Sequence, residues 1–445
     1  MFTKSRGWKS VTALVCIAAV AAGCSSGSSG KKPSAEAGGE AAPPKMTTEP
    51  VTLKVVNAQG GYNKNDFQKY FADPVTKKYP NITFEFYDQG SLPQLVTAGA
   101  DIDIIMTGAR AIGADLKKYA ILADHRELAK KHGLDWNAYE ESGMRSLRNY
   151  AGPNGELYGV PMWINYYVTI YNKSIFDKFA VPYPKDFMTW EDMFNLSKQV
   201  TKNEGGVQYK GLQPGQVSLM ARGLSLPYVD PKTNKASVTS DQWVELFKLA
   251  KSIYTYAGNE PAANPLFQVT KAFQEQKNIA MLPAYGTSLA TVAAVSDNLG
   301  FDWDVVTWPS YKGDPGKSAE SDANVVGVTT ISKHKDEAFK VIQYLTTDKD
   351  MQLMVAKRGG NFPSLKMDNL ADVLGADIPV MKTKNLKGAL KAQLRQAFPH
   401  EYDALVRSSI DNQFLAWLKT EDDAVTILRK IEEESNKKIE AEQKK

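Results

Sequence analysis

Four carboxylates stand in i, i+2 pairs, Asp101 with Asp103 in "DID" and Asp302 with Asp304 in "DWD". Alternate residues of a strand share a face, so each pair presents its carboxylates together. Glycoside hydrolysis uses two carboxylates that oppose each other across the scissile bond. Both pairs lie beside strand-like apolar runs, where solvation of a strand edge is the simpler role. No H-E-x-x-H, G-x-S-x-G, Walker A or C-x-x-C occurs in the chain. A different chemistry is offered by "MWINYY" (162–167) and by "MTGAR", which ends at Arg110. A sugar presents flat C–H faces and many hydroxyls, and its site needs aromatic platforms with polar groups on rigid elements. Trp163 and Asn165 supply a platform and an amide. Arg110 adds a guanidinium fork suited to a pair of hydroxyls or to a carboxylate, and otherwise to a surface ion pair. Tyr62, after "GG", either closes over a ligand or is a plain loop tyrosine. Iron would want clustered tyrosines, yet Tyr166 and Tyr167 are strand neighbours on opposite faces. A polyamine would want several cleft carboxylates, and the candidate positions hold none.

The two cysteines of this 445-residue chain, Cys16 and Cys24, both lie in its first 24 positions. Lys4, Arg6 and Lys9 precede an apolar run over 11–22, too short to span a bilayer and read as the core of a signal peptide. "AAGC" ends that run. It resembles the lipobox of bacterial lipoproteins, with Ala21 where leucine is commonest; the resemblance implies cleavage after residue 23 and acylation of Cys24. The alternative is an ordinary cleaved signal with a spare thiol. Residues 25–50, rich in Ser, Gly, Ala, Glu and Pro without apolar periodicity, read as a disordered tether. Removal of Lys4, Arg6 and Lys9 takes 54 basic residues to 51 against 50 acidic ones. That balance gives no footing for nucleic acid.

The remaining chain is long enough for two lobes. Alternation and β-branched residues predict strands over 51–58, 82–88 and 102–108, with helices over 65–79 and over 114–133, the latter broken near Asp124. This order argues for α/β architecture around a mostly parallel sheet. Helices follow over 188–202, capped by Thr189 with Asp192 three residues on, and over 240–258. Strands return over 303–309 and 325–331, as if the chain re-entered its first lobe. Trp190, Trp243 and Trp417 sit at helical spacing among apolar residues and read as core, and the last 24 residues read as a fraying, charged surface. Open sheets bind ligands beyond the carboxyl ends of their strands, which here are residues 57–62, 107–110 and Tyr285 with Gly286.

Within 154–199, the segments "GELYGVP", "YNKSIFDK", "PYPKD" and "TWED" together resemble the extracellular solute-binding proteins of ABC importers, in the sugar-type family that includes maltose-binding protein. "DIDIIMTG", "AFQEQKNIAMLPAYG", "WDVVTWPSYKGDPG" and residues 331–364 match in the same order, so the likeness runs from residue 51 to the late helices. It implies a two-lobed α/β fold whose ligand cleft closes by hinge motion. Lobe I is expected over 51–162 plus 307–368, and lobe II over 163–306 plus 369–445. The resemblance also implies a carbohydrate ligand, an ABC permease partner, no cofactor, no metal and no enzymatic activity. It implies a monomer held on the outer face of the cell membrane by its lipid. By position it points to Tyr62, Thr107, Arg110, Trp163, Asn165, Tyr285, Trp308, Asn324, Asn361 and Tyr402 as ligand-binding residues. Ser288 occupies the position where relatives carry tryptophan, so the stacking platform is either missing or replaced by Tyr285. The rival readings are a secreted polysaccharide-degrading enzyme and a binding protein for a uronate oligomer, polyamine or iron, with Arg222 joining Arg110 if its loop reaches the cleft.

Overall fold

The computed structural model describes residues 47–58, 62–116, 119–320, 322–389 and 391–444. The signal peptide, Cys24 and residues 25–46 of the expected tether lie outside the described residues. The strands begin with β1 (Val51–Asn57), β2 (Ile82–Tyr87), β3 (Ile104–Gly108), β4 (Val160–Asn165) and β5 (Tyr167–Asn172). They continue with β6 (Lys202–Glu204), β7 (Val207–Leu212), β8 (Val229–Asp230), β9 (Lys235–Ala236) and β10 (Ile279–Tyr285). The last are β11 (Trp303–Thr307), β12 (Lys317–Glu320), β13 (Asp322–Val328), β14 (Phe362–Pro363) and β15 (Gln393–Arg395).

Two large sheets result, one in the order β14-β4-β13-β3-β1-β2 and one in the order β11-β5-β10-β7-β6. The run β2-β1-β3 is parallel, as expected of strands joined by helical crossovers. Beyond it only β7 with β10 is parallel among the ladders of the two large sheets, and the expectation of a mostly parallel sheet fails. β13 runs antiparallel to both β3 and β4, and β5 runs antiparallel to β10 and β11. The cause is the path of the chain: β4 leaves the first sheet and, after the single residue Tyr166, becomes β5 of the second, while β13 brings the chain back. Each sheet is packed with apolar side chains on both faces.

Local sequence explains most elements. The helical run Lys64–Phe67, Gln68–Ala72, Asp73–Lys78 widens to π geometry just before Pro74, where proline removes an N–H and crowds the preceding turn. Thr189 and Asp192 form the expected capping box on the helix Trp190–Val200. Trp190, Trp243 and Trp417 are buried core residues. The C-terminal segment departs from expectation: Ala424–Gln443 is one 20-residue helix. Its Ala424, Ile427, Leu428, Ile431, Ser435 and Ile439 form a stripe at helical spacing that is buried against the second-sheet core. The charges that suggested fraying occupy its other face.

Candidate ligand cleft

Between the strand ends of the two sheets lies a cavity of about 330 Å³, near the lower end of ligand-pocket sizes. β4 and β13 build its first wall. Asn165 pairs with Asp322, and Trp163 with Asn324, which also pairs with Gly108 of β3. Opposed residues of antiparallel strands share a face, as do residues two apart. Trp163, Asn165, Asp322 and Asn324 therefore line the cavity together. Asn361, just before β14, donates to the Asn165 side-chain oxygen at 2.8 Å and completes this wall. Helices and one strand end build the second wall: Arg222 closes the helix Val217–Arg222, Tyr285 ends β10, Thr287 lies in the first turn of the helix Gly286–Ala294, and Arg407 lies in the helix Asp403–Trp417.

Buried charges link the walls. Arg110 reaches Glu320 at 2.6 Å and Asp322 at 3.3 Å. Burial works against the Arg110 charge, but Asp322, Tyr150 and Glu320 more than offset it and raise its pKa well above the usual guanidinium value. Arg222 approaches the same Asp322 oxygen at 3.5 Å from the opposite wall and donates to the Tyr167 hydroxyl at 3.2 Å. Its guanidinium carbon lies 5.7 Å from the Tyr285 ring centre. Asp322 Oδ1 is buried and has no hydrogen-bond partner among the described residues. A ligand hydroxyl would satisfy it.

Six of the ten expected residues meet at this cavity: Arg110, Trp163, Asn165, Tyr285, Asn324 and Asn361. The structure does not bring the other four to its surface. Tyr62 is buried behind Trp163, edge-on with ring centres 5.3 Å apart. Thr107 pairs with Val325 and lies one residue out of phase with cavity-lining Gly108, so strand alternation turns it to the opposite face. Trp308 is packed in the second-sheet core, 5.5 Å from both Tyr167 and Trp190. Tyr402 packs against that same core.

A family model described as bacterial extracellular solute-binding protein matches residues 60–352. The chain belongs to this family. Solved structures share the fold of this solute-binding protein. An ABC substrate-binding protein from Listeria monocytogenes, in complex with cycloalternan, superposes with TM-score 0.72 at 18% identity over 88% of this chain and 99% of its own. Maltose-bound T. maritima MalE3 gives 0.67 at 17% identity over 86% and 98%. The GacH receptor of Streptomyces glaucescens, solved unliganded and with acarbose, gives 0.66 at 18% identity over 86% and 98%. Comparison with curated proteins finds no match. The two-lobed α/β expectation therefore holds for this binding protein.

Four lining residues went unnamed or were named only conditionally from sequence. Asp322 was within reach, because it precedes Asn324 by two on the same strand, but the strand was expected to begin at 325. β13 starts three residues earlier, with polar residues where it borders the cleft. Arg222 depended on where its segment lay. Thr287 and Arg407 gave no signal, since a polar residue on a helix reads as solvated. The carboxylate pairs serve elsewhere: Asp103 accepts from the Lys54 N–H and the Ser332 hydroxyl, and Asp302 binds Lys173 and Lys384. No helix among the described residues is long and apolar enough to cross a membrane.

Proposed function

We propose that this solute-binding protein captures a saccharide between its lobes and delivers it to the membrane permease of an ABC importer by hinge closure. The observation that carries this reading is the cavity itself. Trp163 and Tyr285 offer aromatic faces from opposite walls, interleaved with the amides of Asn165, Asn324 and Asn361 and the unpartnered Asp322 oxygen. Aromatic faces suit sugar C–H surfaces, and the mixed donors and acceptors suit hydroxyls, which are both. Relatives of the same fold hold cycloalternan, maltose and acarbose, in keeping with this reading. The ligand-binding set is Arg110, Trp163, Asn165, Tyr285, Asn324 and Asn361, with Tyr62 backing Trp163. A lobe boundary at Tyr166, between β4 of the first sheet and β5 of the second and not at the expected 162/163, keeps Trp163 and Asn165 on the first wall, and with the other crossings near 306/307 and 368/369 it puts the hinge at Tyr166. The protein acts as a monomer without enzymatic turnover, tethered through an acylated Cys24.

Calorimetry against neutral and acidic oligosaccharides tests the reading, with small-angle scattering to follow compaction. At least one saccharide binds, and Trp163→Ala weakens it about tenfold, within the range for truncating an aromatic anchor. Turnover of the oligosaccharide, or binding confined to polyamines or metals, would falsify the proposal.

A further inference from the structure

Three arginines line the cavity, and they are not equally committed. Arg110 is held by Glu320 and Asp322. Arg222 shares Asp322 and donates to Tyr167. Two guanidinium groups thus face two carboxylates, and this part of the network is balanced. Arg407 is the surplus: half-buried on the second wall, it makes no hydrogen bond or ion pair among the described residues. Neither acidic neighbour one helical turn away forms an ion pair with it, although its charge favours the ionised form of both. Asp411 accepts from the Gln216 amide and from the backbone N–H and hydroxyl of Ser218. Asp403 accepts the His400 N–H, and burial favours the protonated form of both carboxyls.

We propose that the cleft selects an acidic saccharide, whose carboxylate or sulfate ester is taken by the Arg407 guanidinium while a neighbouring ring lies against Trp163 and Asn165. This rests on the saccharide reading and narrows it. A planar guanidinium matches either oxyanion through two parallel N–H donors. In a closing cleft the low dielectric strengthens that attraction, whereas a neutral ligand would bury Arg407 without a counter-charge. The same surplus of positive charge disfavours a polyamine. Because Arg407 and Trp163 belong to opposite walls, a ligand that spans them draws the walls together.

The test is calorimetry of the protein against matched disaccharides of the glucose, galactose and mannose series, each as neutral sugar, uronate and sulfate ester. At least one acidic member is expected to bind about tenfold or more tightly than its neutral counterpart, the value of one hydrogen bond to a charged partner. Raised salt narrows the margin, Arg407→Gln removes it and Arg407→Lys retains part of it. The uronate and sulfate arms distinguish the two oxyanions. Neutral members that bind as tightly as acidic ones, or a margin that survives Arg407→Gln, overturn this inference and leave the saccharide reading standing. Absence of binding by every member overturns both. Should Arg407→Gln not fold, the lysine variant and the salt dependence still decide.

Discussion

Burial of the His125 ring pushes its pKa down to about 4. The ring stays neutral at pH 7, with Nε2 accepting the Val328 N–H at 2.8 Å and Nδ1 facing the Ala123 carbonyl at 2.9 Å. The unfolded chain takes up this proton near pH 6.5 and the folded chain near 4, so the unfolded state binds more protons between those values. Stability contributed by His125 is therefore present above pH 6.5 and lost as pH falls toward 4, by about 3 kcal/mol in all. His125→Phe leaves the Val328 N–H unpaired and costs about 1–3 kcal/mol at neutral pH. Urea unfolding at pH 7 and at pH 4.5 is expected to show a smaller penalty at the lower pH. Equal penalties would mean that the ring is not held neutral. The cleft residues were read from residue type and from their place in the family likeness; six of the ten line the cavity, on strands and off them alike, while strand-borne Thr107 does not. Trp163 with Asn165 is the clearest case, since alternation alone puts both on one face.

At the scale of elements, the crossing from β4 to β5 depends on a close approach. The Gly286 N–H donates to the Tyr166 carbonyl at 2.8 Å. A Cβ on Gly286 would collide with the Tyr166 ring and lie 2.7 Å from the Gly360 carbonyl oxygen. The ring has little freedom to yield, because it stacks on Phe362 with centres 4.3 Å apart and its hydroxyl donates to the Gly359 carbonyl. Gly286→Ala is therefore expected to destabilise the protein by about 1–3 kcal/mol, as overpacking does, and to weaken saccharide binding as well, because the strained residues border Tyr285. A melting temperature unchanged from the parent would show that the crossing has more room than its geometry indicates. The capping box at Thr189 was legible because its hydrogen bonds are local. Strand direction was not: whether β13 runs parallel or antiparallel depends on which sheet the chain has just left.

At the scale of the whole molecule, the proposed function requires lobes free to close on a protein kept near a permease. A single acyl chain holds a protein to a bilayer only marginally, and a diacylglyceryl group on Cys24 would supply the two chains needed for stable anchoring. Cys24→Ser is expected to move the exported protein from the membrane fraction to the soluble fraction. Retention in the membrane fraction would refute the lipid anchor while leaving the cleft untouched.

Taken by itself, the sequence determined the α/β class, the strand ends at which a site could form, the Thr189 capping box and the family likeness, because these depend on periodicity, motifs and short-range contacts. It also put Trp163 and Asn165 together. Only the tertiary structure decided that Arg110 is held by Glu320 and Asp322, some 210 residues away in the chain, and that Arg222 and Arg407 share its cleft. A charged side chain on a surface helix and one on a cleft wall have the same local pattern. What separates them is the opposing lobe, and that is set by long-range packing.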